Sequence, residues 1–474
     1  MTGADGYAES LAAVFRARRD EPAVGLSRVW STWRQIAELR APLADLPDGP
    51  VALVLRNRPA TVGALVGLLG TGRTTQLVSP IQPPGAIAAA VRGCAAVVAD
   101  ATDWSPELAD HGGIELGCRA DGTLTAARRP GSTTAPRPVE FPGAAIVVST
   151  SGTTGPPKRI PMAWADLPAP RVGAPGEVVI NAMPSTTISG LRIVLGALAA
   201  GRPLALLERF EAGAWVALVR ELRPRYLGLP PAAMQMLLDA DVDPADLASI
   251  EAWPTGSAPV TPQLQEQFEA RFGIPVLVKY GATEFGGPVA GWTLDDHRQW
   301  AKRKRGSVGR AKRGVRLRIV DPGGGECPVG APGLLEVRAS RATEWIRTND
   351  LARIDEDGFL YLDGRADDVI VRGGFKVPLG ELERIVGAHP GVRAAGAVGL
   401  PDRRLGQVPA VAVTVIAGAG APTAAELTEW LRARVAPYQV PAVVRVVGAL
   451  PETDSHKVSR PGLRRLFEDG SRAD

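Results

Sequence analysis

The stretch Val147–Met162, VVSTSGTTGPPKRIPM, decides how this chain is read. It grows out of an apolar run, Ala144-Ala145-Ile146-Val147-Val148, whose length and composition predict a buried strand. The run stops at Ser149, Thr150, Ser151, Gly152, Thr153, Thr154 and Gly155, and Pro156 and Pro157 then exclude a helix. Small residues at this density let backbone N–H groups approach a ligand closely. The hydroxyls add donors and Lys158 adds positive charge, a combination that suits a polyphosphate. The stretch is not the common P-loop, which needs GxxxxGK followed by Ser or Thr and opening a helix. The plainer account is a polar surface loop after a strand, but such loops rarely join so many hydroxyls to a basic end.

Working outward, a second apolar run, Ile274 to Val278, leads into Tyr280-Gly281-Ala282-Thr283-Glu284. A strand ending this way can set an aromatic face on a base and a hard oxygen ligand near Mg²⁺. It can equally be an ordinary strand-to-loop junction. Asp350 follows Arg347-Thr348-Asn349, where a lone aspartate most often caps a turn. Lys457, near the end of the chain, reads by itself as a solvated charge.

These segments together resemble the adenylate-forming (ANL) superfamily: acyl- and aryl-CoA ligases, carrier-protein-loading adenylation domains and luciferases. SGTTGPPK resembles its phosphate loop, Thr255-Gly256-Ser257-Ala258-Pro259 its adenine-pocket segment, and YGATE its YGxTE motif. RTND is similar to RTGD, Arg365-Ala366-Asp367-Asp368 to the hinge region, and Pro451 to Arg460 to PxTxxGKxxR. The resemblance runs in the family's order from about Ala144 to Arg460.

The resemblance implies roles. Thr150 to Gly155 and Lys158 would hold ATP phosphates, with Gly256, Ser257, Ala258, Tyr280, Gly281 and Ala282 around the adenine. Thr283 would contact the α-phosphate, Glu284 would bind Mg²⁺, and Asp350 would take both ribose hydroxyls. Arg365 would lie near the ribose or phosphates. Asp367 would be the hinge, and Gly373 and Gly374 would line the thiol channel. Lys457 would bridge the reacting carboxylate and the α-phosphate. The acid pocket falls on Thr186, Thr187, Ile188, Leu191 and Gly281, a lining expected to be small and mostly neutral. Thr187 stands where many acyl-CoA relatives carry histidine, and no aspartate for an α-ammonium is seen there, which favours an aryl or medium acyl acid over an amino acid. Departures at Asn349, for glycine, and His456, also for glycine, leave room for a relative with lost catalysis. A turn at Asn349 would use asparagine's tolerance of positive φ.

The implied reaction uses ATP, Mg²⁺ and a small carboxylic acid, then CoA or a phosphopantetheine on a carrier protein as acceptor. Gln439 replaces a basic residue that CoA ligases often carry before the proline, so an amine or other nucleophile stays open. The net charge is +4 on 474 residues, which argues against a polyanionic polymer partner, so no nucleic acid is expected. The cluster Lys302-Arg303-Lys304-Arg305 is read as a solvated loop. Three scattered cysteines, no basic-then-apolar leader and no apolar run of about 18 residues lead to the expectation of a cytoplasmic protein without a membrane span.

The fold class expected is α/β: a large N-terminal domain of helix-covered sheets plus a β-rich subdomain, and a small mobile α+β C-terminal domain. The boundary is placed between residues 1–366 and 367–474. Helices are predicted over Leu11–Arg19, Trp33–Leu43, Pro59–Leu69, from Thr261 and from Leu379 to Ala388. Thr423 with Glu426 predicts a capping box. Arg128 to Pro142 is read as a connection between subdomains.

Overall fold

Seven strands make the largest sheet of the computed structural model, which describes residues 3–108, 110–131, 141–150, 158–172, 176–339, 343–372, 375–416, 421–453 and 457–469. From edge to edge they are Leu124–Arg129, Gly113–Cys118, Ala96–Asp100, Val51–Val54, Thr75–Val78, Ala144–Thr150 and Lys158–Ala163. The five inner strands are parallel and the two edges antiparallel. Continuous apolar runs suit strands covered on both faces. Helix Pro59–Gly70 covers one face and is buried along its whole length. Alanine and glycine fill much of it, so neighbours can close on it from all sides.

This sheet corrects one expectation. Leu124–Arg129 and Ala144–Thr150 belong to the same sheet, so the Pro-rich stretch between them joins two parts of one layer and does not separate subdomains. Residues 132–140 of that stretch lie outside the described residues. A second correction concerns Trp33–Leu43, which forms two short helices, Trp33–Glu38 and Arg40–Ala44. Pro42 has no N–H to give the Glu38 carbonyl, so one continuous helix would lose a bond and gain a clash.

Two four-stranded sheets complete the larger part of the α/β architecture. One is ordered Val179–Asn181, Leu204–Leu206, Pro22–Leu26 and Val29–Thr32. The other is Trp253–Thr255, Val276–Ala282, Gly287–Gly291 and Arg310–Ala311. Trp215, Trp253, Phe268 and Phe272 stack successively under the latter, with centroids 5.6, 4.6 and 4.8 Å apart. Helix Pro262–Phe272 starts as its sequence predicts: Thr261 accepts from the Leu264 N–H, proline occupies the first turn, and Gly273 ends it at φ 69°.

The β-rich subdomain is the antiparallel sheet Arg316–Val320, Gly333–Arg338, Ile346–Ile354 and Leu360–Arg365. The small C-terminal domain has strands Phe375–Pro378, Val369–Arg372, Gly406–Val415 and Val392–Asp402, with Val443–Val446 pairing on Gly406–Val415. Helices Leu379–Gly387 and Ala424–Arg432 pack there, the second with both halves of its Thr423–Glu426 capping box formed. The basic cluster also departs from expectation. Lys304 is paired with Asp355 and Asp357 at 2.9 and 2.5 Å, and Arg305 with Glu266 and Glu269 at 3.2 and 3.1 Å. These cations pin a loop to two neighbouring elements and are not simply solvated.

Candidate active site

Two sheets meet where the Tyr280 strand approaches the Asp350 strand. The Tyr280 hydroxyl donates to the Asp350 carboxylate. Burial first, and then the Asp350 charge, pushes the phenol well above its ordinary range, so it stays a donor. Asp350 lies within strand Ile346–Ile354, opposite Arg365 at the end of the next strand. Its own N–H donates to the Thr348 hydroxyl at 3.0 Å, and that hydroxyl donates to the Leu335 carbonyl at 2.8 Å. Asn349 is therefore extended strand with no left-handed φ, which corrects the expectation of a turn there.

Lys457 reaches this junction from the C-terminal domain. Its ammonium feels Arg365, Asp350 and Glu284. Burial, then repulsion by Arg365, lowers its pKa below that of an ordinary lysine, while the two carboxylates oppose the shift. The residue as a whole keeps accessible surface. The loop is fixed locally: Thr453 N–H donates to the Lys457 carbonyl at 2.7 Å, and Lys457 N–H to the Thr453 hydroxyl at 3.3 Å. Arg460, three residues on, donates to Asp368 at 2.9 Å and also bonds Glu383 and the Ala397 carbonyl. Asp368 ends the short turn Ala366–Asp368 that leads into the C-terminal sheet. Sequence reading missed this role of Arg460, although the matched Lys-x-x-Arg spacing carried the signal.

Tyr280, Glu284, Asp350, Arg365 and Lys457 are thus brought together. Thr283 and Glu284 form a short turn directly after the Tyr280 strand, which also holds Gly281 and Ala282. Gly256 packs on the Lys279 carbonyl, where a Cβ would sit 2.5 Å away, so only glycine fits. Ser257 follows at φ 68°, and Ala258 continues the same bend. Thr150 and Lys158 pair along the backbone at the adjoining ends of two antiparallel strands. Ser151, Gly152, Thr153, Thr154 and Gly155 lie outside the described residues, as do Gly373, Gly374 and His456. Asp367 sits in the turn Ala366–Asp368.

The expected acid pocket changes in character. Thr187 caps helix Ile188–Ala199, accepting from Gly190 N–H at 3.2 Å and donating to the Pro184 carbonyl at 2.8 Å. Leu191 is wholly buried in the main core and corrects its placement as a lining residue. Asn57, unnoticed in the sequence, holds the segment before the helix through the Met183 carbonyl at 2.8 Å and the Ser185 hydroxyl at 2.6 Å. The Ser189 and Ser257 hydroxyls are 2.8 Å apart and bridge this helix to the Gly256 turn. Arg192 of the same helix donates to the Gly286 carbonyl at 2.7 Å.

No three histidine, cysteine, aspartate or glutamate residues converge as a metal cage among the described residues.

This arrangement has close counterparts. Residues 13–343 match the family model described as AMP-binding enzyme, and residues 381–457 the AMP-binding enzyme C-terminal domain. The chain belongs to the AMP-binding enzyme family. An indoleacetate–CoA ligase from Aromatoleum aromaticum is 30% identical over 346 residues, covering 68% of this chain and 67% of that one. A sulfoacetate–CoA ligase from Cupriavidus necator is 30% identical over 351 residues, covering 69% and 68%. Among solved structures, the amide bond synthetase McbA from Marinactinospora thermotolerans superposes with a TM-score of 0.81 at 26% identity, covering 98% of this chain and 99% of that one. The protein is an adenylate-forming, acyl-CoA-synthetase-like enzyme. No helix among the described residues is long and apolar enough to cross a membrane.

Proposed function

We propose that this protein uses MgATP to convert a carboxylic acid, aryl or acyl, to its adenylate and then passes the acyl group to a thiol, with CoA the first candidate. The observation that carries the reading is the meeting of Lys457 with Asp350, Arg365 and Glu284 beside Tyr280. The relatives named as CoA ligases support the choice of acceptor.

In the first step a carboxylate oxygen bonds the α-phosphorus and the bond to the β,γ-phosphates breaks, releasing pyrophosphate. The carboxylate is already ionised, so no general base is needed. The work is alignment and charge neutralisation. In this reading Asp350 accepts from the ribose hydroxyls, Tyr280 packs on the base, and Thr283 contacts the α-phosphate. Lys457 supplies positive charge between the two reactants. Mg²⁺ held through Glu284 would neutralise phosphate charge. In the second step a thiol attacks the carbonyl carbon, its proton leaves, and AMP departs. For that step the unit from residue 367 onward turns about Asp367, withdrawing Lys457 and bringing Gly373 and Gly374 to the thiol path.

A second reading is favoured by Gln439. Its amide is tied at both ends, donating to Glu381 at 3.1 Å and accepting from Ala436 N–H at 2.9 Å. Gln439 itself therefore offers a CoA phosphate no positive charge, and the cation beside it, Arg372, is turned onto the Tyr438 and Val440 carbonyls at 3.0 and 2.8 Å. A carrier-protein thiol or an amine would then be the acceptor, and the likeness to an amide bond synthetase agrees. The deciding experiment is pyrophosphate release from MgATP with aryl, fatty and amino acids, each with and without CoA. Release stimulated by CoA, with a thioester product, supports the first reading. Release indifferent to CoA supports the second, and silence with every acid sinks both.

A further inference from the structure

Arg192, Lys279 and Lys312 form a chain of cations with no carboxylate among them. Strand Gly287–Gly291 runs between the Lys279 strand and Arg310–Ala311, and Lys312 N–H donates to Val289 at 2.9 Å. Arg192 crosses from helix Ile188–Ala199 and donates to the Gly286 carbonyl at 2.7 Å. Lys312 lies close enough to repel both of the others. The stem of Lys279 runs between two glycines: a Cβ on Gly256 would touch its Cβ at 3.7 Å, and one on Gly291 its Cγ at 3.2 Å.

Other cations of this region are compensated. Arg310, in the strand next to Lys312, is 3.1 Å from Asp296, and Lys304 and Arg305 each hold two carboxylates. Neither Lys279 nor Lys312 has an ion-pair partner among the described residues. Like charges left together this way raise the free energy of the empty protein, and an anion removes that cost.

The position of the cluster says which ligand supplies the anion. Consecutive side chains of a strand point to opposite faces. Tyr280 faces Asp350, so Lys279 faces away from that junction; its stem lies against Gly256, and the next residue, Ser257, meets Ser189 of the helix that carries Arg192. The same space is closed by the Ser189–Ser257 contact and the Gly256 turn. It is the acid side of the site. One carboxylate of the substrate is committed to the Lys457 junction and cannot also reach this cluster.

We propose that the acid activated here carries a second, distal anionic group, a carboxylate or sulfonate, which Lys279, Lys312 and Arg192 bind. The proposal rests on the adenylation reading above and narrows its substrate class to dianionic acids. Lys279 is the specificity-determining residue, because it alone stands in the wall beside Gly256. Arg192 offers a planar fork that matches an oxyanion, and Lys312 adds charge from the rim.

The test uses matched pairs of acids that differ only in the distal group: butanoate against glutarate, cinnamate against 4-carboxycinnamate, and against the 4-sulfonate. Pyrophosphate release is measured with MgATP for the wild type, Lys279→Met and Lys312→Met. The wild type is expected to prefer the dianion in kcat/KM, and Lys279→Met to lower the dianion's value about 10- to 100-fold more than the monoanion's. Lys312→Met changes an exposed residue and should shift the same ratio in the same direction by less. A wild-type preference for monoanions, or equal losses for both members of a pair, overturns the proposal. The 4-carboxylate and 4-sulfonate arms report which anion is taken. If no acid releases pyrophosphate the adenylation reading fails. Calorimetric binding of 4-carboxycinnamate then decides separately: binding weakened by Lys279→Met supports the cation site, and binding no tighter than cinnamate's overturns it.

Discussion

The Tyr280 hydroxyl, on strand Val276–Ala282, and the Asp350 carboxylate, midway along strand Ile346–Ile354, join two sheets through one hydrogen bond. The bond holds one carboxylate oxygen in place, and under the proposed function the carboxylate then serves the ribose. Asp350→Ala is expected to weaken ATP about 10- to 100-fold, the range for hydrogen bonds to a charged group. Tyr280→Phe keeps the ring and frees the carboxylate, so its effect on the ATP KM should stay below about tenfold. Initial rates across ATP concentration check both, and a larger effect for Tyr280→Phe would reverse the roles assigned to the pair.

Lys457 predicts a split between half-reactions. Lys457→Ala should reduce pyrophosphate release by at least about a hundredfold while leaving thioester formation from supplied acyl-adenylate nearly intact. The protonated amine is the active form, and its pKa is lowered by burial and by Arg365. Adenylation should therefore decline on the alkaline side at a pH below an ordinary lysine's range, and the second half-reaction should lack that limb. Rates of each half-reaction measured against pH provide the comparison.

Arg393 of the C-terminal domain and Asp239, at the end of helix Pro231–Asp239, are 2.5 Å apart. Both are more than a third exposed, so the pair contributes only about 0–1 kcal/mol. It exists in the arrangement that brings Lys457 to the site. Asp239→Asn is expected to leave the melting temperature nearly unchanged and to slow adenylation by less than about fivefold. Stopped-flow measurement of the two half-reactions would show the change confined to the first.

Glu269 governs acid stability of the larger domain. Burial alone would raise its pKa, but bonds from His297, Val276 N–H and Gln265 outweigh burial and hold it down to about 2. The folded state therefore binds fewer protons than the unfolded state between that value and the ordinary 4.5. Stability present above this window is lost as pH falls through it. Glu269→Gln should cost about 1–3 kcal/mol at neutral pH, and the difference should shrink in acid. Urea unfolding of both proteins at several pH values gives the answer.

Local signals in the sequence carried the fold well. The apolar run before Ser149, the Thr261-Pro262 start and the Thr423–Glu426 box each became the element their chemistry demands. What stayed hidden depends on distant neighbours. Nothing around Arg128 tells that its strand and the Ala144 strand share a sheet, since that is fixed by five intervening pairings. Leu191 looked like lining because spacing does not say which side of a helix the core takes. Asn349 looked like a turn because its motif suggested one, whereas strand pairing decided its φ. Lys279 was overlooked because a single lysine beside Tyr280 acquires meaning only when Lys312 and Arg192 arrive from elsewhere.

Gly364 and Gly380 face one another where the last strand of the β-rich sheet meets the first helix of the C-terminal domain. A Cβ on Gly380 would lie 3.2 Å from the Gly364 Cα. Bare backbone thus meets bare backbone at the seam. At this point of the seam neither residue brings a side chain, so the two backbones approach with no rotamer between them. A side chain added at either glycine would have to push the two backbones apart, so this contact depends on glycine at both positions.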